Sequence, residues 1–203
     1  MKDFLFKSPT KVKFGAGTSF QLYEIFEEMG VKKPFFVTGK HVGKTDEFAK
    51  IIASLEEKGY SVQLFTDTQP DPPIDVCDAA AQVLKDSGCD VCVAVGGGSV
   101  IDTAKAMCML VTNEGSVKEY LFGGSKTVEN PSLPLIAVPT TAGSGSEVSA
   151  ASVITDEEND IKLSVSHEYL MPKFAVIDPL QQIHMPAFIT ATTGMDALTH
   201  AIE

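Results

Sequence analysis

Three short stretches carry side chains and spacings that suit chemistry. "VAVGGGSVID" puts Gly96, Gly97 and Gly98 between an apolar run and a segment opening at Ser99. Without Cβ atoms such a turn lets a ligand approach the backbone, and the free N–H groups of a following helix attract an anion such as a pyrophosphate. A bare strand-to-helix turn would use the same residues. The spacing is not that of the G-x-G-x-x-G fingerprint, so the phosphates are expected at a later strand than in an ordinary Rossmann domain. "PTTAGSGSE", residues 139–147, offers Thr140, Thr141 and Ser144 as hydroxyls able to bond a ribose or a carboxamide, or else the turn's own backbone. In "GMDALTH", Asp196 and His200 stand at i and i+4. One helix face then presents a carboxylate and an imidazole, which is half of a divalent-metal site or a surface hydrogen bond.

A fourth stretch, "FFVTGKHVGKT" at 35–45, imitates a phosphate-gripping loop. Such a loop needs four residues between glycine and Gly-Lys-Thr. Here Gly39 and Gly43 enclose only three, so an ATP-type loop is disfavoured and Thr45 is expected to cap a helix.

The elements that must position these residues alternate. Short extended segments are expected around Phe4–Phe6 and Val12–Phe14, then an amphipathic helix near Ser19–Met29. The "FFVT" strand precedes a helix over Asp46–Lys58 that aligns Phe48, Ile51, Ile52 and Leu55 on one face. "SVQLF" at 61–65 is a strand, and the helix of "PPIDVCDAAAQVLKDSG" enters through proline and closes at Gly88. "DVCVAV" and "LPLIAVP" read as buried strands, with the helical "VIDTAKAMCML" between them and a helix start at Ser99. "AASVIT", "KLSVS" and "KFAVID" suggest further strands, and a last helix is expected after Gly194. Alternation of this kind is the mark of a mostly parallel sheet covered by helices, an α/β fold. The last helix runs to Glu203 without a stop signal, so the chain reads as a fragment.

Bulk composition narrows the function. The chain has 203 residues, 44% hydrophobic and 21% charged, enough for a substantial core. Sixteen basic against 27 acidic residues give a net charge of −11, which repels a phosphate backbone, so neither nucleic acid nor an anionic membrane is an expected partner. No run of 18 apolar residues and no signal peptide is present, which makes a cytoplasmic location the default expectation. Cys77, Cys89, Cys92 and Cys108 lack a second C-x-x-C or a His pair and read as reduced, mostly buried thiols.

Taken in order and spacing, "GGGSVIDTAKA", "PTTAGSGSEVS", "VIDP" and "GMDALTHAIE" resemble the iron-containing (group III) alcohol dehydrogenase family over essentially the whole chain. The resemblance implies a Rossmann-like parallel sheet of the dehydroquinate synthase type over residues 1–184, and the start of an all-helical metal and substrate domain over 185–203. It implies that Gly97, Gly98 and Ser99 hold a pyrophosphate, with Asp102 close by. Thr140, Thr141, Ser144, Lys162 and Leu180 would line the nucleotide. Asp196 and His200 match the first two ligands of a divalent metal, Fe2+ or alternatively Zn2+. The family's remaining two histidine ligands have no counterpart here, and His41, His167 and His184 read as surface histidines. At Gly39 the family's NAD-preferring aspartate is missing, so NADP is favoured over NAD, with Lys40, His41 and Lys44 as nearby positive charge. The implied reaction exchanges a hydride between a small primary alcohol or diol and NAD(P). The isolated chain would act as a nucleotide-binding module, and a homodimer through Phe4–Phe14 would follow the family habit.

Overall fold

The structure is a computed structural model that describes residues 7–203; the segment expected at Phe4–Phe6 lies outside them. Eight strands and five α-helices form it: β1 Lys11–Phe14, α1 Leu22–Met29, β2 Pro34–Thr38, α2 Asp46–Glu56, β3 Gln63–Phe65, α3 Ile74–Ser87 and β4 Val91–Gly96. Then follow α4 Gly98–Thr112, β5 Leu135–Pro139, β6 Ala151–Asp156, β7 Ile161–Ser166, β8 Phe174–Ile177 and α5 Ala187–Ile202.

Six strands make one parallel sheet in the order β1-β8-β5-β4-β2-β3. The central strands are buried on both faces, and period-two alternation splits each between two cores. Val91, Val93 and Val95 of β4 point toward α1 and α2, with Phe26, Phe48, Ile51 and Leu55. Cys92 and Ala94 point the other way, against α3 and α4 through Ala80, Leu84, Ile101, Ala104 and Met107. Burying a Leu, Ile or Phe side chain contributes about 1.5–3 kcal/mol, so these two layers carry most of the stabilisation.

From β4 the chain steps to β5 and then β8 in one direction, whereas from β2 it steps to β3 in the other. The reversal lies between β2 and β4, where open α/β sheets bind ligands at the strand carboxyl ends. Register levels those ends: Thr38 pairs with Val95, and Gly96 with Pro139.

Several expectations are corrected in detail. The first helix opens as a 3-10 turn over Thr18–Gln21 before α1 begins. The helix after the glycines begins at Gly98, one residue ahead of Ser99. β6 and β7 leave the main sheet and pair only with each other, as an antiparallel hairpin. The last helix starts at Ala187, not after Gly194. Pro186 presets the entry and its carbonyl accepts from Thr190 N at 2.9 Å, and the helix runs on through Gly194, where no atom crowds the missing side chain. Glycine there costs about 1 kcal/mol relative to alanine, which local hydrogen bonds outweigh.

Candidate functional site

The glycine turn and the hydroxyl loop face each other across the ends of β4 and β5. Thr140 N donates to Gly96 O at 3.0 Å, which ties the two loops at their base. Beyond that tie the two loops lie close: a Cβ on Gly97 would lie 3.1 Å from Thr141 Oγ1, and one on Gly98 would lie 3.0 Å from Ser144 Oγ, so a larger residue at either position would push the hydroxyl loop back. Gly96 has a different reason, because a Cβ there would fall 2.5 Å from Val100 Cγ2. One of the three glycines therefore serves the turn and two serve the cleft. Gly97 N-caps α4 with no side-chain hydrogen bond, and Val100 N and Ile101 N donate to Gly97 O, so the N–H groups of Gly98 and Ser99 are the ones left for an anion at this helix start.

A cavity of about 250 Å³ opens beside these loops, lined by Thr140, Thr141, Leu180, His41, Val42 and the start of α5. Its lining is mostly apolar, which suits one flat heteroaromatic ring. Gly39, two residues before the lining His41, bridges to Asp67, and Lys40 forms an ion pair with the Asp67 carboxylate at 3.0 Å. Lys162 stands on β7, apart from the cavity, and pairs at 2.6 Å with Asp71, whose N–H donates to Ser99 Oγ at 3.3 Å. Asp71 holds a left-handed φ of 48° directly before a proline, a strained backbone that brings hairpin and glycine turn together.

The ATP-loop imitation closes on itself. Gly43 N donates to Gly39 O, Lys44 N to His41 O and Thr45 N to Val42 O. Those amides are spent on a 3-10 turn and cannot surround a phosphate. Thr45 caps α2 by accepting from Phe48 N at 3.2 Å, as its sequence position predicts.

Asp196 and His200 extend from α5 toward the hydroxyl loop. His200 Nδ1 lies 3.0 Å from Gly143 O, and His200 Nε2 lies 3.9 Å from Asp196 Oδ1. With Nδ1–H donating to that carbonyl, the imidazole presents its Nε2 lone pair, the tautomer a metal ligand needs. Gly143 has a φ of 95°, and a Cβ there would sit 2.4 Å from Asp196 Oδ2. Loop and helix are thus in contact at the donor pair. A half-exposed carboxylate and imidazole with free donor atoms fit a divalent cation in type, yet no group of three or more His, Cys, Asp or Glu forms such a cluster among the described residues.

Other residues at this edge were not foreseen. Asp178, fully buried after β8, accepts from Gly17 N, Ser19 N, Ser19 Oγ and Leu180 N, and so anchors the Leu180 turn. Burial pushes its carboxyl upward, but these hydrogen bonds outweigh that and hold it below the usual range. His184, expected at the surface, is largely exposed but lines the cavity with its Nε2 3.1 Å from Glu47 Oε2. His41 lines it too, and His167 caps a 3-10 turn by accepting from Tyr169 N. Lys105 is fully buried beneath the cleft; its signal in the sequence was a lone charge within the otherwise apolar "AKAMCML". All four cysteines are free thiols and three are buried. No helix among the described residues is long and apolar enough to cross a membrane.

A family model described as iron-containing alcohol dehydrogenase matches residues 9–179. Choline dehydrogenase of Bacillus subtilis is 41% identical over 203 residues, which is 100% of this chain and 50% of that protein. Long-chain-alcohol dehydrogenase 1 of Geobacillus thermodenitrificans is 38% identical, over 93% of this chain and 48% of its own. Among solved structures, sulfoacetaldehyde reductase from Bifidobacterium kashiwanohense in complex with NAD+ superposes with a TM-score of 0.93 at 34% identity, covering 100% of this chain and 53% of that one. NADH-dependent butanol dehydrogenase A from Thermotoga maritima gives a TM-score of 0.92 at 31% identity, covering 100% and 51%. The chain spans about half the length of the relatives it matches. A match that runs through the sheet, the glycine turn and the hydroxyl loop alike leaves one assignment: the chain belongs to the iron-containing alcohol dehydrogenase family.

Proposed function

We propose that these residues supply the dinucleotide cleft and the first two metal ligands of an NAD(P)-dependent alcohol dehydrogenase, which exchanges a hydride between a small primary alcohol or diol and the nicotinamide. The observation that carries this reading is the contact of two loops and a helix at the carboxyl ends of the strands: the glycine turn touches the hydroxyl loop, and the hydroxyl loop touches Asp196 and His200 of α5 at Gly143. The NAD+ held by the sulfoacetaldehyde reductase supports a dinucleotide as occupant.

The chain's residues divide the work. Gly97 and Gly98 admit the pyrophosphate to the N-terminus of α4, and Ser99, whose Oγ accepts from Asp71 N, keeps its O–H to donate to the same anion. Thr140, Thr141 and Leu180 seat the base or ribose in the cavity. Ser144 orients the end of the dinucleotide nearest Asp196. Asp196 and His200 hold the cation, and Gly143 O fixes the His200 tautomer. A divalent ion, Fe2+ or Zn2+, supplies Lewis acidity toward an alcohol oxygen, and the nicotinamide supplies the hydride acceptor.

Gly39 favours NADP over NAD in this reading. A Cβ there would meet Thr68 Oγ1 at 3.6 Å, an ordinary contact that glycine leaves unmade, and a 2′-phosphate would compete with Asp67 for the Lys40 ammonium. Titration with NADH and NADPH, followed by alcohol oxidation with added Fe2+ or Zn2+, tests the whole. Failure of both dinucleotides to bind refutes it, and a large preference for NADH refutes the NADP clause.

A second reading is a nucleotide-binding module without turnover, favoured by the two-residue donor set. Binding without oxidation selects it. Pairing of two copies through edge strand β1, where Val12 and Phe14 are exposed, belongs to the same proposal; a monomer by light scattering excludes it.

A further inference from the structure

Among the described residues the fold buries one lysine completely, and its ammonium sits between the two elements that form the cleft. Lys105, on α4, has no exposed surface. Its Nζ donates to Ser146 Oγ at 3.0 Å, Ser149 Oγ at 3.0 Å and Ala151 O at 2.6 Å. All three ammonium protons are thereby used, and every acceptor lies on the segment that continues the hydroxyl loop. Ser146 Oγ donates in turn to Asp102 Oδ1, and Asp102 Oδ2 accepts from Val153 N at 3.1 Å. Asp102 Oδ1 lies 3.8 Å from Lys105 Nζ, so the buried cation and carboxylate are joined through one hydroxyl.

Asp102 lies about one turn from the N-terminus of α4, where the reading above puts a pyrophosphate. A carboxylate there opposes an incoming anion unless a cation offsets it. Helix packing does not require a charge at this depth, because burying an ammonium is costly and an apolar side chain of that length would fill the space.

We propose that Lys105 is a positioning residue for the dinucleotide: its ammonium clasps the 146–151 segment to α4 and cancels the Asp102 charge, and dinucleotide affinity depends on that ammonium staying protonated. The proposal rests on the dinucleotide reading. Asp102 from the same helix and Glu147 from the neighbouring 3-10 turn are the charged groups acting on Lys105, and both favour its protonated form. The hairpin and the other loop contribute only the neutral Ser149 hydroxyl and Ala151 carbonyl.

Burial outweighs both carboxylates and lowers the Lys105 pKa to about 8. Asp102 moves the opposite way, raised by burial against the pull of Ser146, Lys105 and the Val153 N–H. Burial thus drives both partners toward neutrality. A bound pyrophosphate favours the ammonium, so binding takes up a proton once Lys105 has begun to lose its own. Affinity is then level at low pH and falls as pH climbs past about 8, by at most about tenfold per unit.

The test is titration of the 203-residue chain with NADH and NADPH from pH 6.5 to pH 9.5, with circular dichroism on each variant. The wild type is expected to bind with a constant Kd up to about pH 8 and more weakly above it. Lys105→Arg, which keeps its charge throughout, is expected to flatten the profile. Lys105→Met is expected to weaken binding about tenfold at neutral pH with no pH dependence, and adding Asp102→Asn to recover part of the loss. A wild-type profile that is flat across this range overturns the proposal, as does equal weakening by Arg and Met. Should Lys105→Met not fold, the wild-type and Lys105→Arg profiles decide, and should neither variant fold, the wild-type profile decides alone. Absence of binding by the wild type removes the dinucleotide reading itself, whereas binding with a flat profile removes only the role of Lys105.

Discussion

Replacing Gly98 by alanine separates the cleft from the fold, because the two respond to different neighbours. A Cβ at Gly98 would sit 3.0 Å from Ser144 Oγ and 3.1 Å from Ser144 Cβ, about 0.4 Å inside ordinary contact. Gly98 begins α4 with no left-handed backbone, so alanine brings no φ strain and gains up to about 1 kcal/mol of helix propensity. That gain offsets the contact cost, and global stability should change by less than about 1 kcal/mol. The cleft has no such compensation: the new methyl stands where the pyrophosphate must approach, and the hydroxyl loop must move away from it. Dinucleotide affinity should fall about tenfold to a hundredfold, or about 1.4–2.7 kcal/mol. Gly96→Ala is the control. Its Cβ would fall 2.5 Å from Val100 Cγ2 and 2.6 Å from Val100 Cβ, a clash within the helix that follows, so it should lower Tm by several degrees before it affects binding. Isothermal titration with NADH or NADPH and thermal denaturation read the two effects separately. The reasoning is refuted if Gly98→Ala binds within twofold of wild type, or if its loss of binding merely follows a loss of Tm.

The remaining predictions concern the anchor and the metal corner. Asp178 accepts four hydrogen bonds while fully buried, so Asp178→Ala should cost about 2–4 kcal/mol in denaturant unfolding and loosen the Leu180 turn. Because its folded pKa lies below the ordinary 3.8, its stabilisation is complete above that value and is lost as pH falls through the folded pKa; acid unfolding of Asp178→Ala should therefore be less steep than that of wild type below pH 3.8. Asp196→Ala and His200→Ala should each remove detectable Fe2+ or Zn2+ binding by equilibrium dialysis while leaving dinucleotide affinity within about threefold, since neither side chain lines the base cavity. Unchanged metal content in either variant removes that residue from the ligand set.

The residues themselves determined the secondary structure of the sheet and the pieces of the cleft. The both-sides-buried runs "FFVT" and "DVCVAV", each followed by turn residues and a 3.6-period helix, together with the buried "LPLIAVP", leave a parallel α/β sheet as the economical solution. Thr45 as a cap and Gly88 as a left-handed helix end were legible because each is a local property of a few consecutive residues. Tertiary structure alone decided that Gly97 and Gly98 serve the cleft, since that depends on Thr141 and Ser144 arriving from more than 40 residues later, whereas Gly96 meets Val100 of the helix that follows it directly. It also decided that β6 and β7 leave the sheet and that Lys162 meets Asp71 from 91 residues away. Lys105 states the difference most plainly. Its position within an apolar helix is visible in the sequence, but the three acceptors that make a buried ammonium tolerable come from residues 41 to 46 positions later, and only the folded chain brings them within reach.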